Sequence, residues 1–239
     1  ITNGVCPAST SNVTIVRNAV PTTANAGSNQ TICATSTNLA GNVPAVGTGT
    51  WTLISGAGTI SSPNLATSAV TALGVGVNVF QWSIGNGVCP VSNSTVAIVR
   101  DANPTISNAG PSQTICANTA TLAGNTPAIG VGSWNVVSGP GLLVTPTSPN
   151  SQVTSLGLGS NVFQWVITNG VCPSSSSTVQ IYQDANPTAS NAGPSQSICA
   201  ISNTVMAANT PAIGTGTWTL ISGSGAISNA NSPTSAITG

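Results

Sequence analysis

The stretch NAGSNQTIC at residues 25–33 returns twice further along the chain, as NAGPSQTIC at 108–116 and NAGPSQSIC at 191–199. The three copies begin 83 residues apart. Structural repeats of solenoid proteins span about 20–45 residues, so a period this long predicts tandem domains, each with its own core. A feature present in every copy is then most simply explained by a structural role in the domain.

The phase of this repeat sets the expected domain boundaries. Residues 1–20 match the C-terminal end of a preceding repeat, 21–103 and 104–186 are whole repeats, and 187–239 match the N-terminal part of a further one. Two interpretations stay open. The chain is a window of a longer array, or it is a protomer whose N-terminal hairpin completes the open last domain of a neighbouring copy by strand addition.

Charged residues are very scarce. There are four, Arg17, Arg100, Asp101 and Asp184, which is 2% of the chain against about 25% in ordinary soluble domains. Two arginines cannot build a basic surface, so we expect no nucleic-acid partner. A net charge of zero favours self-association. We also expect no membrane insertion by this segment.

The same composition lacks most of the side chains that enzymes use for catalysis. The chain has no His, Lys or Glu, its one tyrosine is Tyr182, and its two aspartates are 83 residues apart. General acid–base catalysis needs such groups close together, and no histidine is present to activate a serine. Clustered carboxylates for calcium and close cysteine pairs for zinc are also missing. We therefore expect no enzyme, no cofactor and no metal site.

Apolar and polar residues alternate in short runs bounded by Gly, Asn and Ser, which is typical of β-strands. In the first whole repeat we predict seven strands, near 28–33, 37–42, 49–54, 58–61, 67–72, 77–85 and 93–99. Seven short strands in about 83 residues predict an all-β fold of tandem immunoglobulin-like, Greek-key β-sandwiches.

The five tryptophans recur with the repeat, and we predict that they form the structural core: Trp51, Trp82, Trp134, Trp165 and Trp218. Trp82 shares one strand face with Phe80 and Ile84. We expect Trp82 and Trp165 to pack against Trp51 and Trp134 on the facing sheet. Exposed tryptophans would instead suggest sugar stacking.

The six cysteines, one of each kind per repeat, are predicted to form structural disulfides in an oxidising compartment: Cys6, Cys33, Cys89, Cys116, Cys172 and Cys199. Free buried thiols are the alternative. Two pairings stay open, Cys33–Cys89 within a repeat and Cys33–Cys172 between repeats. In a Greek-key sandwich the turns that carry Cys33 and Cys89 lie at opposite ends, which favours Cys33–Cys172.

Each repeat is joined to the next by a short linker ending in proline, for example Arg100–Pro104. Such a linker is stiff, so an array would be a semi-rigid rod growing by roughly 35–45 Å per repeat. We interpret the linker charges as solvated residues that help to fix the angle between domains.

The combination of AGSNQTIC, GTWT, SGAGTI and FQWSIGNGVCP resembles PKD-like and other immunoglobulin-like repeats. More narrowly, it resembles tandem repeats of giant cell-surface proteins of Bacteroidetes-type bacteria, including gliding-motility adhesin filaments. The resemblance implies secretion and display at the cell surface. Relatives often carry an aspartate where this chain has Ser28-Asn29, so acidic, metal-binding behaviour does not carry over.

The sequence therefore predicts a stiff, disulfide-stabilised stalk of an extracellular filament or adhesin, whose partners are neighbouring repeats or copies of the same protein. One alternative is a module that binds surface glycans, with Asn42, Asn125 and Asn209 as candidates. The other is a self-assembling filament protomer completed by strand exchange.

Overall fold

A computed structural model describes residues 1–199 and 203–239, and every regular element in those ranges is a β-strand. In chain order the strands are β1 Gln30–Ile32, β2 Thr37–Asn38, β3 Thr48–Ser55, β4 Thr59–Ile60, β5 Ala69–Thr71, β6 Gly76–Gly85, β7 Ser92–Arg100, β8 Gln113–Ile115, β9 Ala120–Thr121, β10 Val131–Ser138, β11 Leu142–Leu143, β12 Gln152–Thr154, β13 Gly159–Thr168, β14 Ser175–Gln183, β15 Asn203–Val205, β16 Ala226–Ile227 and β17 Ala236–Thr238.

The first seven strands form two sheets. One has the order β1-β7-β6-β3 and the other the order β2-β5-β4. β1 runs parallel to β7, while β7, β6 and β3 pair antiparallel. Each strand predicted from the sequence overlaps one of these seven. This strand order confirms the immunoglobulin-like sandwich, because β1, β3, β6 and β7 form one sheet and β2, β4 and β5 the other, as in a Greek-key sandwich.

The following strands repeat the same plan. β8, β10, β13 and β14 form a sheet of order β10-β13-β14-β8, and β9, β11 and β12 form one of order β11-β12-β9. β15, β16 and β17 reproduce the smaller sheet once more, in the order β15-β17-β16.

The chain divides into two compact units. The first contains residues 1–107, 126–132 and 166–176, and the second contains 108–125, 133–165 and 177–239. β1 to β7 belong entirely to the first unit, and β15 to β17 to the second.

Two tryptophans form the centre of the first core. Trp51 on β3 and Trp82 on β6 are register partners, their ring centroids lie 5.0 Å apart, and both side chains are buried. Trp134 and Trp165 form the same pair in the second unit. The expectation that the two rings come from facing sheets is wrong. They are cross-strand neighbours in one sheet, where directly opposed Cβ atoms lie about 5 Å apart.

The strand β6 supplies most of this core. Phe80, Trp82 and Ile84 are completely buried, as period-two alternation predicts, and Val96 and Ile98 on β7 join them. A methyl group added at Gly49 would overlap the Trp82 ring. Gly49 is therefore required because the indole occupies the space of a side chain.

Sequence alone does not make β3 a strand. The octapeptide TGTWTLIS occurs at 48–55, where it is β3, and again at 215–222, where the same eight residues form no strand. Residues 9–17, which align with β7, also form none, and Val13 and Ile15 are more than 80% exposed. Both segments lack a neighbouring β6 sequence, so β6 is what converts its neighbours into strands.

We predict that Trp82→Ala lowers the free energy of unfolding of the first sandwich by about 3–5 kcal/mol, because it leaves a large cavity and removes the ring contact. Guanidinium denaturation followed by circular dichroism measures the loss, and hydrogen exchange should localise it to β3, β6 and β7. Ile54→Ala, on the exposed side of β3, is the control and should change stability by under about 0.5 kcal/mol. Equal effects of the two substitutions would contradict this account of the core.

Candidate functional site, a disulfide-linked junction

Cys33 and Cys172 are joined by a disulfide bond, with their Cα atoms 4.9 Å apart and a sequence separation of 139. Cys33 follows β1, and Cys172 lies in the turn between β13 and β14. Of the two pairings that the sequence left open, the structure therefore contains the one between repeats. In the chain-entropy description, closing a loop of this length destabilises the unfolded chain by about 5 kcal/mol.

The turn that carries Cys172 is fixed against the linker. Within the turn, the Cys172 amide donates to the carbonyl oxygen of Asn169 at 3.1 Å. The Asn169 side chain donates to the carbonyl oxygen of Ala102 at 2.7 Å, and the Val171 amide donates to a carboxylate oxygen of Asp101 at 2.9 Å. These hydrogen bonds position Cys172 independently of the disulfide bond.

Two charged linker residues behave differently from their predicted role. Asp101 and Arg100 are half-buried rather than solvated. Besides its contact with Val171, Asp101 donates its amide to the Ile32 carbonyl at 2.8 Å, and Arg100 donates to the Leu73 carbonyl at 3.0 Å. The interpretation of the linker charges as solvated residues fits Arg17 and Asp184, which are exposed. It is wrong for Arg100 and Asp101, because a short linker brings both side chains against neighbouring backbone.

The preceding junction repeats this arrangement. Asn86 donates to the Ala19 carbonyl at 2.8 Å, and the Cys89 sulfur lies 3.6 Å from the Asn18 carbonyl. The Cys172 sulfur lies at the same 3.6 Å from the Asp101 carbonyl. The roles of these turn and linker residues were not predicted from the sequence. The signal was present, since an Asn-Gly-Val-Cys turn and an Asn or Asp at the linker recur with the period.

The remaining cysteines are free thiols. Cys6, Cys116 and Cys199 are exposed, and Cys89 is half-buried. Their role as structural disulfide cysteines therefore stays a prediction.

The tryptophans offer no face for sugar stacking in the two complete cores. Trp51, Trp82, Trp134 and Trp165 are at most 2% exposed, whereas Trp218 is half-buried. The Trp82 indole N–H donates to the Asn42 carbonyl at 3.1 Å. Burial and hydrogen bonding of this kind indicate structural side chains.

The candidate glycan-binding amides are also engaged. The Asn42 side chain accepts from the Asn25 amide at 2.8 Å and donates to the Thr23 carbonyl at 2.9 Å. Asn125 accepts from the Asn108 amide at 2.8 Å, and Asn209 from the Asn191 amide at 2.7 Å. These side chains clamp the segment before the first strand of each repeat, so they are poorly available to a ligand.

Within residues 1–199 and 203–239, no three His, Cys, Asp or Glu side chains come together as a metal-binding group. In the same ranges, no helix has the length and apolar character that a membrane crossing requires.

No protein-family model matches the chain, and a search of curated proteins finds no match either. Among solved structures, it is similar to the titin domains I67–I69, at 12% identity over 91% of this chain and 87% of that one, with a TM-score of 0.49. Sidekick-1 immunoglobulin domains 1–5 match at 12% identity over 81% and 45%, with a TM-score of 0.47. The PKD domain of the KIAA 1837 protein matches at 24% identity over 35% and 91%, with a TM-score of 0.30. Because every one of these TM-scores lies below 0.5, the fold assignment rests on the strand order described above.

We predict that denatured, non-reduced protein digested with trypsin keeps residues 18–100 covalently attached to 101–239. Trypsin cleaves after Arg17 and Arg100, which separates Cys33 from Cys172 but leaves Cys33 and Cys89 in one fragment. Mass spectrometry after alkylation of free thiols distinguishes the two pairings. Cys172→Ser should release the fragments and Cys89→Ser should not, whereas a fragment 18–100 closed on itself would contradict the structure.

We predict that Gly170→Ala reduces formation of the Cys33–Cys172 bond about tenfold or more in a glutathione redox buffer. Gly170 has φ +50°, and an added Cβ would overlap the Asp101 carboxylate. The left-handed backbone costs alanine roughly 1–2 kcal/mol, and displacement of Asp101 adds to that cost. The equilibrium bonded fraction, measured by thiol alkylation, checks this.

Gly4→Ala is the matched control for this substitution. Gly4 occupies the same turn position with φ +52°, but an added Cβ there has no atom within 4 Å. It should leave the Cys33–Cys172 equilibrium unchanged. Equal bond formation in the Gly170→Ala variant and its control would show that the Asp101 contact does not position Cys172.

Proposed function

We propose that this chain is a structural segment of an extracellular filament or adhesin stalk, of the kind that the Bacteroidetes-type surface repeats represent. The observation that carries the proposal is the Cys33–Cys172 bond, which spans 139 positions and joins two sequence repeats. Its building units are the repeats 21–103 and 104–186, its partners are neighbouring repeats or further copies, and its location is the cell surface.

The bond changes how tension would pass along the chain. A pull on the two ends reaches Cys33 along the N-terminal segment, crosses the disulfide to Cys172 and continues into β14. The residues between the two cysteines then carry no extension, and β2 to β13 all lie in that interval. A covalent bypass of two cores is useful to a stalk, because a core that opens under load exposes backbone to proteases.

The chemistry of the chain supports the same role. A protein with four formally charged residues and no His, Lys or Glu has little capacity for acid–base chemistry. A structural disulfide favours an oxidising, extracellular compartment. The engaged amides of Asn42 and Asn209 leave the glycan-binding alternative without a specific site.

We predict that the oxidised chain, pulled from its ends in a force spectrometer, extends by roughly 460–500 Å less than the reduced chain, since about 139 residues stay closed behind the bond. Adding a reductant during the pull should release this length in the oxidised protein. A Cys33→Ala/Cys172→Ala variant should give the longer extension under both conditions. Equal extension of the oxidised and reduced wild-type chains would contradict the stalk proposal.

A further inference from the structure

In the described part of the third repeat, residues 187–199 and 203–239, an open groove replaces the closed sandwich. A cavity of about 610 Å³ opens there, and Trp218, Asn209 and Gly216 lie in its lining. Beside it stands the three-stranded sheet β15-β17-β16. This is the counterpart of β2-β5-β4, which in the first repeat is covered by the four-stranded sheet.

Side chains that belong to a core are uncovered around this groove. Trp218 is half-buried, whereas its counterparts Trp51 and Trp134 are each 2% exposed. Ala192 is exposed, whereas its counterpart Ala26 is 1% exposed. The apolar residues that a sandwich buries are therefore present but face solvent, which favours association with another apolar surface.

The groove has open space where the complete repeat has an indole ring. In the first repeat the Trp82 ring fills the space above Gly49, while the corresponding Gly216 has no atom within 4 Å of an added Cβ. Trp218 is already oriented, because its indole N–H donates to the Ser232 carbonyl at 3.0 Å. An incoming tryptophan could stack on Trp218 as Trp82 stacks on Trp51.

A hydrogen-bond acceptor for the incoming indole is also in place. Trp82 and Trp165 donate to the carbonyls of Asn42 and Asn125, both at 3.1 Å. The third residue of this series is Asn209, which lines the groove. The groove therefore offers an indole both open space and an acceptor. Ala208 takes the place of Gly41, where an added Cβ would lie 3.1 Å from the Trp82 ring, so the incoming indole must sit slightly displaced from the position that Trp82 occupies.

We propose that this groove binds a β-hairpin of a further repeat of this kind, and that Cys116 then captures the hairpin through a disulfide bond. The hairpin carries a Phe-x-Trp strand, an Asn-Gly turn and a Val-Cys pair, as residues 76–100 and 159–183 do. This inference is independent of the stalk proposal, since it rests on the groove beside Trp218 and on the backbone around Cys116, which the stalk proposal does not use.

The linker before the groove places the hairpin turn near Cys116. The Asp184 amide donates to the Ile115 carbonyl at 2.8 Å, as the Asp101 amide does to the Ile32 carbonyl, also at 2.8 Å. The backbone next to Cys116 thus has the same arrangement as the backbone next to Cys33.

The rest of that linker also follows the bonded junction. Thr188 donates to the Ile213 carbonyl at 3.1 Å, and Thr105 donates to the Ile129 carbonyl at 3.0 Å. Asp184 is exposed, whereas Asp101 is half-buried and accepts from Val171. A hairpin valine amide would provide Asp184 with the same contact, and its following cysteine would meet Cys116.

The N-terminal segment of a second copy is a poorer occupant. Residues 1–20 contain no aromatic side chain. They align with β7 and its preceding turn, so they would leave the space above Gly216 empty.

The covalent step is a thiol–disulfide exchange with a small-molecule disulfide such as oxidised glutathione. The Cys116 thiolate attacks oxidised glutathione, forming a mixed disulfide and releasing one glutathione thiolate. The hairpin thiolate then attacks the Cys116 sulfur and releases the second glutathione thiolate. One protein disulfide forms, and one oxidised glutathione is reduced to two thiols.

The experiment uses the full chain and a synthetic peptide with the sequence of residues 159–183. In a glutathione redox buffer we expect the peptide to form a disulfide with Cys116 in preference to Cys6, Cys89 and Cys199, identified by mass spectrometry of a chymotryptic digest. Cys116→Ser should abolish the covalent product but retain peptide binding, measured by the fluorescence change of Trp218. Cys199→Ser is the matched control and should form the product normally.

A peptide carrying Trp165→Ala should bind about thirtyfold more weakly or worse, because the indole is the central anchor. Equal reaction at all four free cysteines, or equal affinity of the two peptides, would overturn the proposal. A disulfide-independent dimer of the chain that excludes the peptide would assign the groove to residues 1–20 instead, which also overturns it.

A second variant covers the case in which the isolated peptide does not fold. The chain is extended after Gly239 by the sequence of residues 156–186, so that the hairpin is attached. We expect Cys116 to pair with the added hairpin cysteine and residues 215–222 to gain hydrogen-exchange protection. A chain in which the added cysteine stays free and those residues stay unprotected would overturn the proposal.

Discussion

The pairing of β3 with β6 is the interaction on which the rest of the structure depends. It places Trp51 directly opposite Trp82, and the two rings fill the centre of the sandwich. The octapeptide TGTWTLIS is a strand where this partner exists and no strand where it does not. Isolated strands are marginal in water, because their hydrogen bonds and apolar faces need a neighbour. The core is therefore a property of the strand pair and not of either sequence alone.

The disulfide depends on the equivalent strand pairing in the second repeat. There the hairpin β13–β14, which carries Cys172 in its turn, is part of the sheet β10-β13-β14-β8. The Asn169 and Asp101 hydrogen bonds fix this turn to the linker. Two sulfur atoms must approach within about 2 Å, and their Cα atoms within about 7 Å, before they can bond. The junction meets this requirement through ordinary hydrogen bonds between neutral groups and one carboxylate. This explains how a chain with almost no charge can still fix the geometry at a junction.

Much of this fold could be predicted from the sequence, because period-two alternation and the 83-residue repeat both report on burial. Alternation shows which face of a strand is buried, but not which strand lies beside it, so Trp51 and Trp82 were expected on facing sheets. Arg100 and Asp101 were expected in solvent, because charge usually indicates exposure, whereas their surroundings depend on how tightly the linker folds. The pairing of Cys33 with Cys172 rather than with Cys89 was favoured by the predicted Greek-key topology and not by any local pattern, because it depends on the positions of three turns. The groove beside Trp218 could be anticipated only as an incomplete repeat.

The same few contacts recur in each repeat, and they determine how one repeat can recognise another. Four formally charged residues in 239 cannot supply the electrostatic steering that selects partners in most interfaces. Selection must then come from shape and from hydrogen bonds, which here means an indole seated over a glycine and donating to an asparagine carbonyl. Such a site rejects a hairpin without tryptophan, because both the cavity and the carbonyl would be left unfilled. A disulfide formed after this recognition would make a correct fit permanent, since only a seated hairpin holds its cysteine beside Cys116 long enough for exchange.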